Sequence, residues 1–237
     1  MPRDGDLASA LTSPNLIQRV SVAHASEMVQ LPNVKDVKPF AYHLRPTKLT
    51  PNNDNPLLHY RGVVNLDQLT PSKASKVFEE NGWETQWLVR YAKTQKAHYH
   101  SKTHETMVVL NGQARIRFGS ADLTSEENPE GEHEEGGVEV DAAAGDVFVI
   151  PAGVSHKTFN AALEHSFEWL TPGGGHGIGD VDIDKIDISG FVMLGAYPKG
   201  GAEWDFCVGG EGKTEPPVPS KDPVLGDSPN GLLGIWR

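Results

Sequence analysis

The pattern of apolar and polar positions divides the chain into three parts. In residues 1–55 prolines recur at Pro14, Pro32, Pro39, Pro46 and Pro51, with Pro56 next, too often for long helices. A short helix within 15–30, from Leu16-Ile17 to Met28-Val29, is the one regular element expected there. A firmer helix follows over 70–81. Thr70 can cap it, Pro71 suits its first turn, Ala74, Val77 and Phe78 share a face, and Asn81-Gly82 ends it.

From Trp83 to about Leu170 the period changes to that of strands. Trp87–Tyr91, Lys96–His100, Glu105–Leu110 and Asp146–Ile150 read as short strands, and Gln113–Phe118 alternates polar and apolar as a half-buried strand does. Asn111-Gly112, between two of these runs, predicts a hairpin. A further strand is expected at Gly190–Tyr197, and the end Leu232–Trp236 is apolar enough to dock on the body. Short strands, tight turns and little helix point to an antiparallel sandwich or barrel. No internal repeat is present, which argues against a duplicated barrel.

Composition narrows the function. Twenty-one Lys+Arg against 32 Asp+Glu give a formal charge of -11, a field that disfavours nucleic-acid binding. One cysteine, Cys207, excludes an intrachain disulfide and a cysteine-built zinc site, and reads as a buried, inert thiol. The early acids Asp4 and Asp6 and the lack of a long apolar run make a secretory leader and a membrane span unexpected, so a cytoplasmic location is the expectation. Residues 120–137, rich in Glu, read as a solvated acidic loop.

Chemistry concentrates in the histidines. His98 and His100 are two apart, so on a strand both rings project from one face. Four residues later Glu105 begins the next apolar run, where a carboxylate can come beside two imidazoles. Such a mixture suits divalent iron, manganese, nickel or zinc. An H-x-H pair alone is common on solvent-facing strands; a second pattern gives this one weight. Gly145-Asp146 leads into an apolar strand, Pro151 and Gly153 make a sharp turn, and His156 follows where an inward ring could complete a site. His104 adjoins Glu105, so it faces the other way and is assigned a turn or supporting role. His43, His59, His133, His165 and His176 have no spacing partner and read as surface or satisfied polar residues. Asn160 reads as a backbone-fixing residue, and Trp87, Tyr91 and Trp169 as core. By strand parity Lys96, Met107, Val109 and Thr158 share the ligands' side.

These residues resemble the cupins. His98, His100, Glu105 and Gly112 match the first cupin motif, and Gly145, Pro151, Gly153, His156 and Asn160 match the second. Ala92 stands where many cupins have glycine. Pro51-Asn52-Asn53, Asn81-Gly82-Trp83, Gly195-Ala196-Tyr197-Pro198 and Asp222-Pro223-Val224-Leu225-Gly226 further look like the YjlB-like cupins. The resemblance implies an all-β fold, a double-stranded β-helix or jelly-roll barrel, with a few short helices. It would have an irregular arm over 1–55, a barrel over 56–210 and a tail over 211–237 that packs on the barrel. It also implies one divalent transition ion held by His98, His100, Glu105 and His156. The expected function is a metal-dependent enzyme acting on a small oxygen-bearing molecule, of oxygenase, decarboxylase or isomerase type. A non-catalytic ligand-binding cupin and a storage or scaffold protein are the alternatives. A small-molecule ligand and a homodimer are the expected partners; no catalytic residue is singled out.

Overall fold

The computed structural model describes residues 37–65, 69–124, 131–162 and 165–237; the helix expected within 15–30 lies outside them. Among the described residues ten strands form two antiparallel sheets. In chain order they are β1 (Phe40–Tyr42), β2 (Leu57–Tyr60), β3 (Trp83–Arg90), β4 (Glu105–Asn111), β5 (Gln113–Phe118), β6 (Val138–Ala143), β7 (Val147–Ile150), β8 (His156–Phe159), β9 (Glu168–Trp169) and β10 (Val192–Pro198). The larger sheet runs β1-β2-β7-β4-β10-β3-β9 and the smaller β6-β5-β8. Sequence neighbours are rarely sheet neighbours, so the chain crosses between sheets repeatedly. This is a jelly-roll.

The inner core lies between the sheets. Met107, Val109, Phe148, Ile150 and Met193 of the larger sheet meet Ala114, Ile116, Phe118 and Val140 of the smaller. The other face of the larger sheet is covered too. Leu58, Leu88, Val108, Val149 and Leu194 pack beneath helix α1 (Pro71–Glu80) and the C-terminal segment. That double burial explains why β4 and β7 read as unbroken apolar runs, whereas β5, exposed on one face, alternates. Helix α1 forms as its signals predict: the Thr70 side chain accepts from Lys73 N, Pro71 opens the first turn, and Ala74 and Phe78 are buried. In the C-terminal segment a one-turn helix, α2 (Leu232–Ile235), forms around buried Leu232. Just beyond it, Trp236 is buried and its indole donates to the Pro56 carbonyl at 2.9 Å.

Three expectations fail for nonlocal reasons. Asn111-Gly112 is no hairpin: β4 pairs with β7 and β10, β5 with β6 and β8, so the chain changes sheets at Gly112. Gly112 has φ +82, and a Cβ there would lie 2.5 Å from the Gly190 carbonyl oxygen. Glycine is required by a crowded corner, not by a two-residue turn. Lys96–His100 is not a strand but a strap touching its neighbours through isolated bridges, His98 to His156 and Tyr99 to Cys207. The acidic loop is not wholly solvated, since Glu134 is buried and accepts from Thr47, Thr50, Leu49 N and Ala121 N.

A bulge in β3 matters for the site. Gly195 faces Trp87 and Ala196 faces Thr85, leaving Gln86 as an extra residue. Trp83 and Trp87 are four apart and in a regular strand would share a face. With the bulge, Trp83 joins the outer cluster and Trp87 turns inward.

Candidate metal centre

His98 and His156 sit directly opposite each other: each backbone N–H bonds to the other's carbonyl, at 3.1 and 2.8 Å. Their rings therefore lie side by side, with centroids 4.3 Å apart. His100, two residues along the strap, brings its ring within 5.6 Å of the His98 ring and 5.5 Å of the His156 ring. One ring nitrogen from each of the three lies within 4.8 Å of those of the other two, a cluster that could hold a metal ion. Glu105 opens β4, whose alternation turns it inward with Met107 and Val109. Its Oε1 lies 3.2 Å from His100 Nε2 and its Oε2 3.3 Å from His156 Nε2.

The tautomers follow from the backbone. His98 Nδ1 lies 3.1 Å from the Lys96 carbonyl, His100 Nδ1 2.5 Å from the Asp205 carbonyl and His156 Nδ1 3.4 Å from the Val154 carbonyl. A carbonyl can only accept, so each Nδ1 carries the proton and each neutral ring keeps a bare Nε2. Nitrogen lone pairs of His100 and His156 then face the oxygens of a buried carboxylate. Acceptor opposed to acceptor is unfavourable unless a proton or a cation lies between, and Glu105 Oε2 has no hydrogen-bond partner.

The spacing suits a cation. A metal–nitrogen bond of about 2.1 Å puts adjacent donors about 3.0–3.4 Å apart, which is the separation between Glu105 and both rings. Electrostatics agree in direction at Glu105, His98 and His156. Burial alone would raise the Glu105 carboxyl, but the His100 and His156 rings bring it down to about 2. Burial lowers His98 well below the ordinary imidazole range, helped by the two neighbouring rings, and lowers His156 despite Glu105. At His100 burial is outweighed by Glu105 and the Asp205 carbonyl, so that ring is raised. Three ring nitrogens cluster, and the Glu105 carboxylate faces two of them.

The second motif's turn is pinned to the first. Gly153 N donates to the His100 carbonyl at 2.8 Å, and Ala152 N donates to His104 Nδ1 at 3.1 Å. His104 therefore faces away from the cluster, buried against Trp236, and supports the turn that delivers His156. Behind His156, buried Lys157 pairs with Asp122 at 2.8 Å, and Asp122 also accepts from Ala97 N on the strap. Asn160 takes a left-handed φ of 51° and donates its N–H to the Lys93 carbonyl. Of the lone histidines, His43, His133 and His176 are exposed and His165 is half-buried. His59 is buried, 3.1 Å from Asp146 and stacked on Phe148.

Several residues at the site carried no spacing signal. Tyr197 lies with its hydroxyl 2.5 Å from Glu105 Oε1 and 3.0 Å from Trp87 Nε1. An indole N–H only donates, so Tyr197 accepts from Trp87 and gives its own proton to Glu105. Gly195 makes room for this, because a Cβ there would fall 2.1 Å from the Trp87 indole. Trp204, Asp205 and Phe206 form a cap of three consecutive residues. Trp204 meets the His100 ring edge-on, Asp205 supplies the carbonyl above, and Phe206 stacks on His98 at 4.1 Å.

A cleft of about 90 Å³ opens over the cluster, walled by Trp87, Tyr91, Phe167, Trp169, Trp204 and Phe206. Trp87, Tyr91 and Trp169 thus line the site as well as pack. Gln95 takes the place expected for Lys96, because the strap is not a strand and its parity does not hold. Met107, Val109 and Thr158 do not reach the cleft either; the first two belong to the inner core.

Comparison with known proteins accords with this arrangement. Residues 94–172 match the Cupin family. The chain is 28% identical over 195 residues to "Uncharacterized protein YjlB" of Bacillus subtilis (strain 168), covering 78% of this chain and 89% of that protein. Similar solved structures include the hydroquinone 1,2-dioxygenase PnpCD, at 17% identity and a TM-score of 0.27 over 50% of this chain and 59% of that one. An oxalate decarboxylase is similar at 13% identity and a TM-score of 0.30, over 70% of this chain and 31% of that one. A vicilin from Corylus avellana has 14% identity and a TM-score of 0.26, over 73% and 35%. The chain spans about a third to three-fifths of those structures, and likeness at this level carries no argument about chemistry. With both motifs present in order, a jelly-roll around them and a YjlB relative over most of its length, the chain carries a cupin-like region over residues 94–172 and resembles the YjlB-like cupins.

Proposed function

We propose that this protein holds one divalent transition ion through His98, His100, Glu105 and His156 and acts on a small oxygen-bearing molecule bound beside it. The observation that carries this reading is the cluster of three imidazoles, His98, His100 and His156, with two of them facing a buried carboxylate whose Oε2 is otherwise without a partner. Iron, manganese, nickel and zinc all suit such donors. When bound, the ion supplies Lewis acidity, or redox chemistry if it is iron, manganese or nickel. The chain's own residues do the rest. The Lys96, Asp205 and Val154 carbonyls hold the three Nδ1 protons and so aim the rings. Tyr197 holds its proton on Glu105 Oε1, and the aromatic walls keep bulk water off the cluster. The open cleft favours turnover or ligand capture over a purely structural ion.

Elemental analysis of the protein purified without added metal tests the reading. Near one ion per chain is expected in the wild type, with most of it lost in His156→Ala, because that change removes one donor and leaves the sheets intact. Equal metal content in the two proteins would sink the donor set.

A further inference from the structure

We infer that the cleft selects ligands carrying a single negative charge on a pair of chelating oxygens, with a small flat apolar body, and discriminates against dianions. This rests on the proposed donor set and goes beyond it, naming what the site takes. The charge count comes first. Among the described residues Glu105 is the one carboxylate lining the cleft, so a divalent ion there would leave one positive charge to be balanced. A six-coordinate ion held by four protein donors would have two positions left, enough for a chelating oxygen pair.

Among the described residues lining the cleft, no fixed positive charge balances a second negative one: none is Lys or Arg, and the uncharged Gln95 is where parity placed Lys96. A dianion would leave an uncompensated charge against aromatic walls, an expensive arrangement in a low-dielectric cleft. The formal charge of -11 adds a field that repels dianions more than monoanions.

The shape sets the body. About 90 Å³ holds roughly three to six water-sized groups, the chelating head of a ligand. A flat body then lies at the mouth against Phe167, Trp169 and Phe206, whose rings stay exposed. Phe206 and Trp204, parts of the cap, flank the cluster on two sides. A planar apolar body can slide against them, gaining the stacking that aromatic pairs provide.

Calorimetric titration of the metal-containing protein tests this, with benzohydroxamate as the monoanionic chelator with a flat body, acetohydroxamate as its small counterpart and oxalate as the dianion. Wild type should bind benzohydroxamate at least tenfold more tightly than oxalate. Gln95→Lys should strengthen oxalate at least tenfold and change benzohydroxamate less than threefold. Phe206→Ala, at a side chain 54% exposed and so safe for folding, should weaken benzohydroxamate at least fivefold and acetohydroxamate less than twofold. Oxalate binding wild type as tightly as benzohydroxamate, or Phe206→Ala weakening both hydroxamates equally, overturns the inference. Metal content measured on the same samples separates the two claims. A metal-loaded protein with the reversed ranking defeats this inference alone, whereas one holding no ion defeats the donor set as well.

Discussion

Removing one hydroxyl, in Tyr197→Phe, tests the proton chain that orients Glu105. The ring stays, so packing against Trp87 and Trp204 is kept; what goes is the acceptor for Trp87 Nε1 at 3.0 Å and the donor to Glu105 Oε1 at 2.5 Å. A hydrogen bond to a charged group contributes about 1.5–3 kcal/mol, and a buried donor left unpaired costs about 1–3 kcal/mol. The two effects share an atom and are not additive, so a loss of about 2–4 kcal/mol is expected in the metal-free protein, read as a lower denaturant midpoint at unchanged m-value. Metal affinity should fall too, by about 10–100-fold as for other residues that orient a ligand. The assay is competition against a chromophoric chelator on wild type and Tyr197→Phe, with Trp87→Phe alongside. Because Trp87 acts on Glu105 only through Tyr197, Trp87→Phe should weaken the metal less than Tyr197→Phe does. Unchanged metal affinity and stability in Tyr197→Phe would refute the chain as described.

Three further outcomes follow from the packing around the site. Burial holds the His104 imidazole down to about 4, so between pH 6.5 and about 4 the unfolded chain takes up a proton that the fold refuses. Its stabilising contribution is therefore full above pH 6.5 and lost on acidification, with a slope approaching about 1.4 kcal/mol per pH unit, and His104→Gln should flatten the stability profile in that window. Asp122→Ala removes the carboxylate 2.8 Å from the buried Lys157 ammonium and the acceptor of Ala97 N; a loss of about 3–5 kcal/mol is expected in denaturation, whereas near-neutral behaviour would show that the pair contributes little. Gly112→Ala drives a Cβ against the Gly190 carbonyl at a positive φ, so soluble expression or Tm should drop sharply, while Gly200→Ala, at positive φ with open space around it, should cost far less.

Much of the site was legible because its key spacings are local. His98 and His100 are two apart and Pro151-Ala152-Gly153 places His156 three residues on, and these three rings do cluster, although 96–100 is a strap and not the strand its spacing implied. Helix α1 was legible for the same reason, since a cap, a first-turn proline and a terminal Asn-Gly act within one helical turn. The sequence by itself thus determined helix α1, strands β3, β4, β5, β7 and β10, and the histidines that cluster. Only the tertiary structure decided which sheets those segments join, and therefore that Asn111-Gly112 is a corner. The Gln86 bulge that turns Trp87 inward, the Tyr197 proton on Glu105 and the Asp205 carbonyl on His100 also depend on it. These are contacts between residues about 90 to 110 positions apart. No local rule encodes them, because they exist only once two sheets have closed on a shared core and side-chain parity has been reset by bulges and straps.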